Sequence, residues 1–209
     1  MATGDFDAVL WDFGGVLSSS PFEAFARHEA DHGLPHGFIR SVNATNPDAN
    51  AWAKLERNEI GLREFSTLWG DEAEALGHRL EGEVVLTLLG GDRRPEMFEA
   101  IRRLRAAGLK TALLTNNVAS MDGWGEALGL DELFDVVVES AKAGVRKPDP
   151  AAYQLVLDQL GVAADRMAFL DDLGINLKPA KAMGMATIKV VDPDEALAEL
   201  EALVGLSLR

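Results

Sequence analysis

The chain has 209 residues, of which 47% are hydrophobic and 26% charged, a composition typical of a globular protein with one main core and a small second unit. The formal net charge of −14 argues against nucleic acid or an anionic membrane as a partner, because both are bound through basic surfaces. The absence of cysteine excludes disulfides, zinc–thiolate sites and thiol nucleophiles, and it fits a reducing cytoplasmic location. Residues 1–5 lack the basic start of a signal peptide, and no run approaches the roughly 18–20 apolar residues of a membrane span.

Five short apolar runs that end in polar or glycine residues predict buried parallel strands. They cover residues 8–11, 111–114, 136–138, 167–170 and 187–190. Amphipathic helical patterns cover residues 95–107, 151–160, 177–183 and 192–201, and the first three are followed by glycine. Strands and helices that alternate at this spacing predict an α/β fold, with a Rossmann-like parallel sheet covered by helices on both faces.

The segment between the first two strands is much longer than the dozen or so residues that a crossover connection needs. It contains helical patterns at residues 22–32, 50–58, 62–76 and 82–89, and no strand pattern. We therefore expect residues 20–90 to form an inserted α-helical cap, and residues 1–19 and 91–209 to form the core. Two glycine pairs, at residues 14–15 and 90–91, are the expected hinges.

Polar residues follow the predicted strands, at the sheet edge where open parallel sheets bind their ligands. The set comprises Asp12 after the first strand, Thr115 and Asn116 after the second, Lys147 before the fourth unit, and Asp171 and Asp172 after the fourth strand. Taken singly, each has an ordinary interpretation as a turn residue, a helix cap or a solvated charge. Their joint order favours a site for a divalent metal and a phosphate.

The same order of motifs resembles the haloacid dehalogenase superfamily, in which a strand-end aspartate, a Ser or Thr, a lysine and an acidic pair follow one another. Residues 146–150 and 169–178 are also similar to the phosphatase-like N-terminal domains of soluble epoxide hydrolases and of acyl-CoA dehydrogenase family member ten. The resemblance covers essentially the whole chain and is weakest in the helical insert. It implies a magnesium-dependent hydrolase that acts on a small phosphorylated substrate.

The resemblance also implies a role for each residue of the metal site. Asp12 would be the nucleophile, forming an aspartyl-phosphate intermediate, and would ligate the metal as well. The Gly14 carbonyl and Asp172 would complete the protein ligands, with Asp171 ordering a coordinated water or ligating too. Magnesium suits such an all-oxygen set.

Three further residues acquire roles in the same way. Thr115 and the backbone of Asn116 would hold a phosphoryl oxygen. Lys147 would neutralise charge on the transferring group and restrain the Asp12 carboxylate. Asn176 would brace the acidic loop from the following helix.

One position departs from the family pattern, because Gly14 stands where its phosphatases carry a second aspartate that acts as general acid and base. Such a group contributes about 10²–10⁴-fold in rate. Three interpretations remain: a good leaving group such as an anomeric or acyl phosphate, a substitute proton donor from the cap or from residues 18–20, or a weak or inactive module that only binds phosphorylated ligands. A haloacid dehalogenase is disfavoured, because those enzymes dispense with magnesium and need no acidic pair.

A second motif lies in the insert, where residues 28–32 match H-E-x-x-H, the pattern of zinc proteases. No third ligand follows it, and the sequence Gly33-Leu34-Pro35 ends the helix at once. A polar face of the cap is therefore the favoured interpretation.

Overall fold

The computed structural model describes residues 6–119 and 124–209, and this part of the chain is an α/β fold. Its strands are β1 (Ala8–Trp11), β2 (Lys110–Thr115), β3 (Val136–Glu139), β4 (Met167–Asp171) and β5 (Ala186–Lys189). Its helices before β2 are α1 (Pro21–Asp31), α2 (Phe38–Ala44), α3 (Ala51–Glu56), α4 (Leu62–Ala75), α5 (Gly82–Thr87) and α6 (Pro95–Ala106). Its later helices are α7 (Trp124–Ala127), α8 (Leu130–Leu133), α9 (Ser140–Ala143), α10 (Pro150–Leu160), α11 (Gly174–Ala182) and α12 (Pro193–Val204).

The five strands form one parallel sheet in the order β3-β2-β1-β4-β5. β1 lies at the centre, and its residues alternate between two apolar cores. Val9 and Trp11 face the core that contains α6 and α12, whereas Ala8 and Leu10 face the core that contains α10. The predicted Rossmann-like sheet with helices on both faces is therefore confirmed.

The insert between β1 and α6 is helical, and α1 to α5 share a third apolar core. Large buried side chains from four of its helices meet there, namely Phe25, Ile39, Phe65, Trp69 and Val85. Only Val118 among the buried members of this core comes from outside the insert. A separate core of its own is the property expected of a cap, and the boundaries at residues 20 and 90 stay a prediction.

The two chain segments that connect the insert to the sheet run side by side. Ser18 and Arg93 form an antiparallel bridge, and Ser19 exchanges two hydrogen bonds with Asp92, at 2.8 and 2.9 Å. A Cβ on Gly91 would lie 2.5 Å from the Ser19 carbonyl oxygen, so this crossing requires glycine. The predicted hinge at residues 90–91 is thus a close crossing of the two connections.

The structure differs from the sequence prediction mainly in short elements. Helix α2 was not predicted, nor were the one-turn helices α7, α8 and α9. Helix α11 begins at Gly174, three residues before the predicted start, and continues through Pro179. Strands β2 and β4 extend to Thr115 and Asp171, so these two residues end their strands. No helix in residues 6–119 or 124–209 is both long enough and apolar enough to cross a membrane.

Candidate active site

Three carboxylates meet at the carboxyl end of the sheet. Asp12 directly follows β1, Asp171 ends the neighbouring β4, and Asp172 comes next. Each offers an oxygen such that all three oxygens lie within 4.8 Å of one another. Like charges this close repel, so the arrangement calls for cations.

Lys147 supplies one of those cations. Its Nζ lies 2.7 Å from Asp12 Oδ1 and 2.8 Å from Asp171 Oδ2, and its side chain is only 1% exposed. The backbone N–H of Phe13 also donates to Asp12 Oδ1, at 2.7 Å. One oxygen of Asp12 is thus held by two donors, whereas Oδ2 accepts no hydrogen bond from the described residues.

Asp171 is fully buried and is saturated with donors. Its Oδ1 accepts from the Leu173 N–H at 2.8 Å and from Asn176 Nδ2 at 3.1 Å. Its Oδ2 accepts from Lys147 and from the same Asn176 amide at 3.0 Å. Three donor groups share the two oxygens, with the Asn176 amide bridging them, and this leaves little capacity for a metal ion. Asn176 braces the acidic loop, as predicted, and its own carbonyl accepts a 2.7 Å bond from the Tyr153 hydroxyl.

The acid–base properties of the site follow from burial and crowding. Burial raises the pKa of Asp12 well above its usual range, although Lys147 opposes the shift. Burial and the neighbouring Asp171 raise the pKa of Asp172 to about 6. Burial alone would lower the pKa of Lys147, but Asp12 and Asp171 raise it above its usual value. One lysine therefore leaves the cluster short of positive charge.

The loop after β1 is shaped for close approach to Asp172. Gly15 has a φ of +77°, and a Cβ there would lie 2.3 Å from Asp172 Oδ2, so this position accepts only glycine. Arg94, at the start of α6, donates to the Gly15 carbonyl at 2.6 Å and pins the loop. A Cβ built on Gly14 meets nothing within 4 Å. Residue 14 is therefore sterically open to a larger side chain.

The two predicted phosphate-binding residues lie at the end of β2, and the second of them, Asn116, contacts Lys147. Thr115 ends the strand and is 5% exposed. The Asn116 side chain makes two hydrogen bonds to the main chain of Lys147. Its Oδ1 accepts from the Lys147 N–H at 2.9 Å, and its Nδ2 donates to the Lys147 carbonyl at 2.9 Å. The structure thus brings Asn116 and Lys147 together with Asp12 and Asp171, and it gives the Asn116 side chain a role that the sequence did not indicate.

The donor chemistry of the site fits magnesium. The carboxylates of Asp12 and the half-buried Asp172 offer anionic oxygens beside the loop after β1, and no nitrogen or sulfur ligand is among them. Magnesium favours one or two carboxylates together with waters and phosphate oxygens. Burial and the neighbouring carboxylates raise the pKa of Asp12 and Asp172, and a divalent ion bound between them would favour their charged forms.

The glutamate of the H-E-x-x-H motif in α1, Glu29, has a structural role. The Glu29 carboxylate is buried and accepts from the N–H groups of Gly37 and Ile39, at 2.6 and 2.9 Å, which secures the start of α2. The rings of His28 and His32 stack with 4.0 Å between centroids. Within residues 6–119 and 124–209 the only cluster of three or more potential metal-binding side chains is that of Asp12, Asp171 and Asp172.

Comparison with known proteins agrees with this geometry. The family model of the haloacid dehalogenase-like hydrolases matches residues 6–184, which is most of the chain. The chain belongs to this family. The sheet order, the insert after β1 and the acidic cluster are thus those of a haloacid dehalogenase-like hydrolase.

Several curated proteins are similar to this hydrolase over nearly its whole length. Mouse acyl-CoA dehydrogenase family member 10 is 39% identical over 97% of this chain, and pig bifunctional epoxide hydrolase 2 is 33% identical over 96%. The chain spans only 20% and 39% of those two proteins, respectively. A phosphatase of Mycobacterium tuberculosis, MT3486, is 40% identical and is matched over 85% of this chain and 84% of its own length.

Solved structures share the fold at lower identity. A haloacid dehalogenase family enzyme from Bacteroides thetaiotaomicron, in complex with magnesium and inorganic phosphate, superposes with a TM-score of 0.61 at 19% identity, over 88% of this chain and 93% of its own. A predicted haloacid dehalogenase-like hydrolase from Porphyromonas gingivalis superposes with a TM-score of 0.67 at 20% identity, over 97% and 99%. These similarities establish the α/β fold of the family.

Proposed function

We propose that this hydrolase is a magnesium-dependent phosphatase that cleaves small phosphomonoesters through an aspartyl-phosphate on Asp12. The supporting observation is the state of the Asp12 carboxylate, which has one oxygen held by Lys147 and Phe13 and the other without a hydrogen bond from the described residues. A buried carboxylate oriented in this way is prepared for nucleophilic attack. Relatives named as phosphatases and a fold neighbour that binds magnesium and phosphate support the same conclusion.

The metal would be held by Asp12, Asp172 and the Gly14 carbonyl. We assign Asp171 to orientation rather than direct ligation, because donor groups of Lys147, Leu173 and Asn176 already occupy its two oxygens. When bound, magnesium supplies positive charge to the phosphoryl oxygens and to the attacking carboxylate. The structural residues Gly15 and Arg94 keep the β1 loop against Asp172.

The proposed reaction has two displacement steps at phosphorus. In the first, an Asp12 carboxylate oxygen bonds to phosphorus, and the bond to the leaving-group oxygen breaks with its electron pair. Lys147, the Thr115 hydroxyl and the Asn116 backbone N–H stabilise the charge on the phosphoryl oxygens. In the second, water attacks phosphorus, its proton passes to solvent, and the bond to Asp12 breaks, which releases phosphate and restores the carboxylate.

The absence of an acid at residue 14 restricts the substrate. A serine substitute from residues 18–20 has little structural support: Ser18 bonds backbone carbonyls, Ser19 accepts from the Asp92 N–H and Ser20 caps α1. A leaving group that departs without protonation, such as an acyl or anomeric phosphate, suits Gly14 best. The helical insert would act as a cap that excludes water and contacts the substrate.

The proposal is tested by a phosphate-release screen on acetyl phosphate, a sugar 1-phosphate, p-nitrophenyl phosphate and an alkyl phosphate. We expect magnesium-dependent release that falls by about 10⁴-fold or more in Asp12→Asn, as when the nucleophile of a covalent mechanism is removed. Circular dichroism verifies that the variant is folded. Phosphate binding without Asp12-dependent turnover on any substrate would instead identify a ligand-binding module.

A further inference from the structure

Glu56, the last residue of α3, is a carboxylate of the insert that is buried against the core. It is 5% exposed, and its Oε1 accepts from Trp52 Nε1 of the same helix at 2.9 Å. Its Oε2 contacts two residues that belong to the core, Arg146 and Asn116. Burying a carboxylate is costly unless partners compensate its charge, so the position of α3 depends on those core residues.

The first core partner of Glu56 is Arg146, the residue immediately before Lys147. Arg146 Nε lies 2.6 Å from Glu56 Oε2, an ion-pair distance, although the N–H is not aligned for a hydrogen bond. Arg146 also donates through Nη1 to the Pro47 carbonyl at 2.9 Å, a second contact with the insert. The residue next to Lys147 is therefore attached to the insert at two points.

The second core partner is Asn116, whose amide Nδ2 lies 3.4 Å from Glu56 Oε2. The same amide group makes both hydrogen bonds to the main chain of Lys147. Glu56 thus contacts Arg146, which precedes Lys147 in sequence, and Asn116, whose side chain is hydrogen-bonded to the Lys147 backbone. These contacts form a short path from the insert to the lysine that holds Asp12.

We infer that Glu56 is a positioning residue that couples the docking of the insert on the core to the placement of Lys147. The inference rests on the proposed function only for its effect on turnover. With α3 docked, Glu56 fixes Arg146 and Asn116, and Lys147 Nζ reaches both Asp12 and Asp171. When these contacts are lost, Arg146 and Asn116 are held less firmly, and the restraint that they place on the Lys147 backbone weakens. A displacement of about 1 Å near the reacting groups is enough to slow catalysis strongly.

The test compares Glu56→Gln with Glu29→Gln. The second variant makes the same change at another buried glutamate of the insert, one whose partners are backbone N–H groups. Glu29 accepts its hydrogen bonds from Gly37 and Ile39, both within the insert, so its loss leaves the contacts to the core intact. Two quantities are measured well below the melting temperature: kcat on p-nitrophenyl phosphate per folded molecule, and hydrogen exchange of the Lys147 amide. The second readout does not depend on activity.

For Glu56→Gln we expect kcat to fall about tenfold and the Lys147 amide to exchange faster. Glu29→Gln should keep wild-type values for both, even if its melting temperature falls. Arg146→Gln removes the same link from the core side and should reproduce the Glu56→Gln result, which covers the case in which Glu56→Gln does not fold. Wild-type kcat and wild-type exchange at Lys147 in folded Glu56→Gln would overturn the inference. If the wild type shows no Asp12-dependent turnover but the exchange still responds to Glu56→Gln, the coupling stands and the proposed function fails.

Discussion

The molecule buries carboxylates in two regions, and they differ in the balance between charges and donors. At the sheet edge, three carboxylate oxygens lie within 4.8 Å of one another and one buried lysine serves two of the acids. In the insert, Glu29 stands apart from that cluster and receives two backbone N–H groups. The sheet edge keeps unmet demand for positive charge, whereas the fold satisfies Glu29 with backbone donors. Burial of an acid alone therefore does not indicate function, but the crowding of three acids around one cation does.

Placing an aspartate at residue 14 is the change with the largest expected effect on the sheet edge after the loss of Asp12. The site is open around a Cβ at Gly14, so Gly14→Asp should fold normally. A general acid contributes about 10²–10⁴-fold, and we expect a gain on this scale for alkyl phosphates and much less for acetyl phosphate. The measurement is kcat/KM across a series of leaving groups. Equal effects along the series would refute the leaving-group explanation.

Removing the shared cation should affect both activity and stability. Lys147→Met leaves Asp12 and Asp171 buried without their common partner, so we expect kcat to fall about 10²–10³-fold and unfolding free energy to fall by about 3 kcal/mol. Urea unfolding and steady-state kinetics measure the two effects. Glu29→Gln serves as the comparison, with a stability loss and no change in kcat. A Lys147→Met variant as active and as stable as the wild type would mean that the two regions do not differ.

Much of the sheet and its edge could be predicted because the responsible signals are local. Strands of a parallel sheet appear as apolar runs, and the residues that follow them are placed by the fold class alone. For this reason the sequence could predict that Asp12, Lys147 and Asp171 lie close together, as they do in the structure. The short helices α2 and α7 to α9 were missed because four to seven residues carry too little periodicity.

The remaining features depend on tertiary contacts that no local pattern reveals. The Asn116 side chain acts on Lys147, thirty-one positions later, and Glu56 acts from the insert on the same segment. The need for Gly15 follows from the approach of Asp172. The H-E-x-x-H pattern shows that a local motif can also mislead. It resembles a zinc site, but its glutamate stabilises the start of a helix.

The central claim, that Asp12 and Asp172 share a divalent cation, is tested most directly by thermal unfolding with and without magnesium. At about 100 times its Kd, a ligand that binds only the native state adds about 2.7 kcal/mol, which for this chain length corresponds to an increase in melting temperature on the order of 5–10 °C. We expect that increase in the wild type and in Glu99→Gln, a control at an exposed acid of α6. Asp12→Asn and Asp172→Asn should lose most of it. A full magnesium-dependent increase in both aspartate variants would contradict the account.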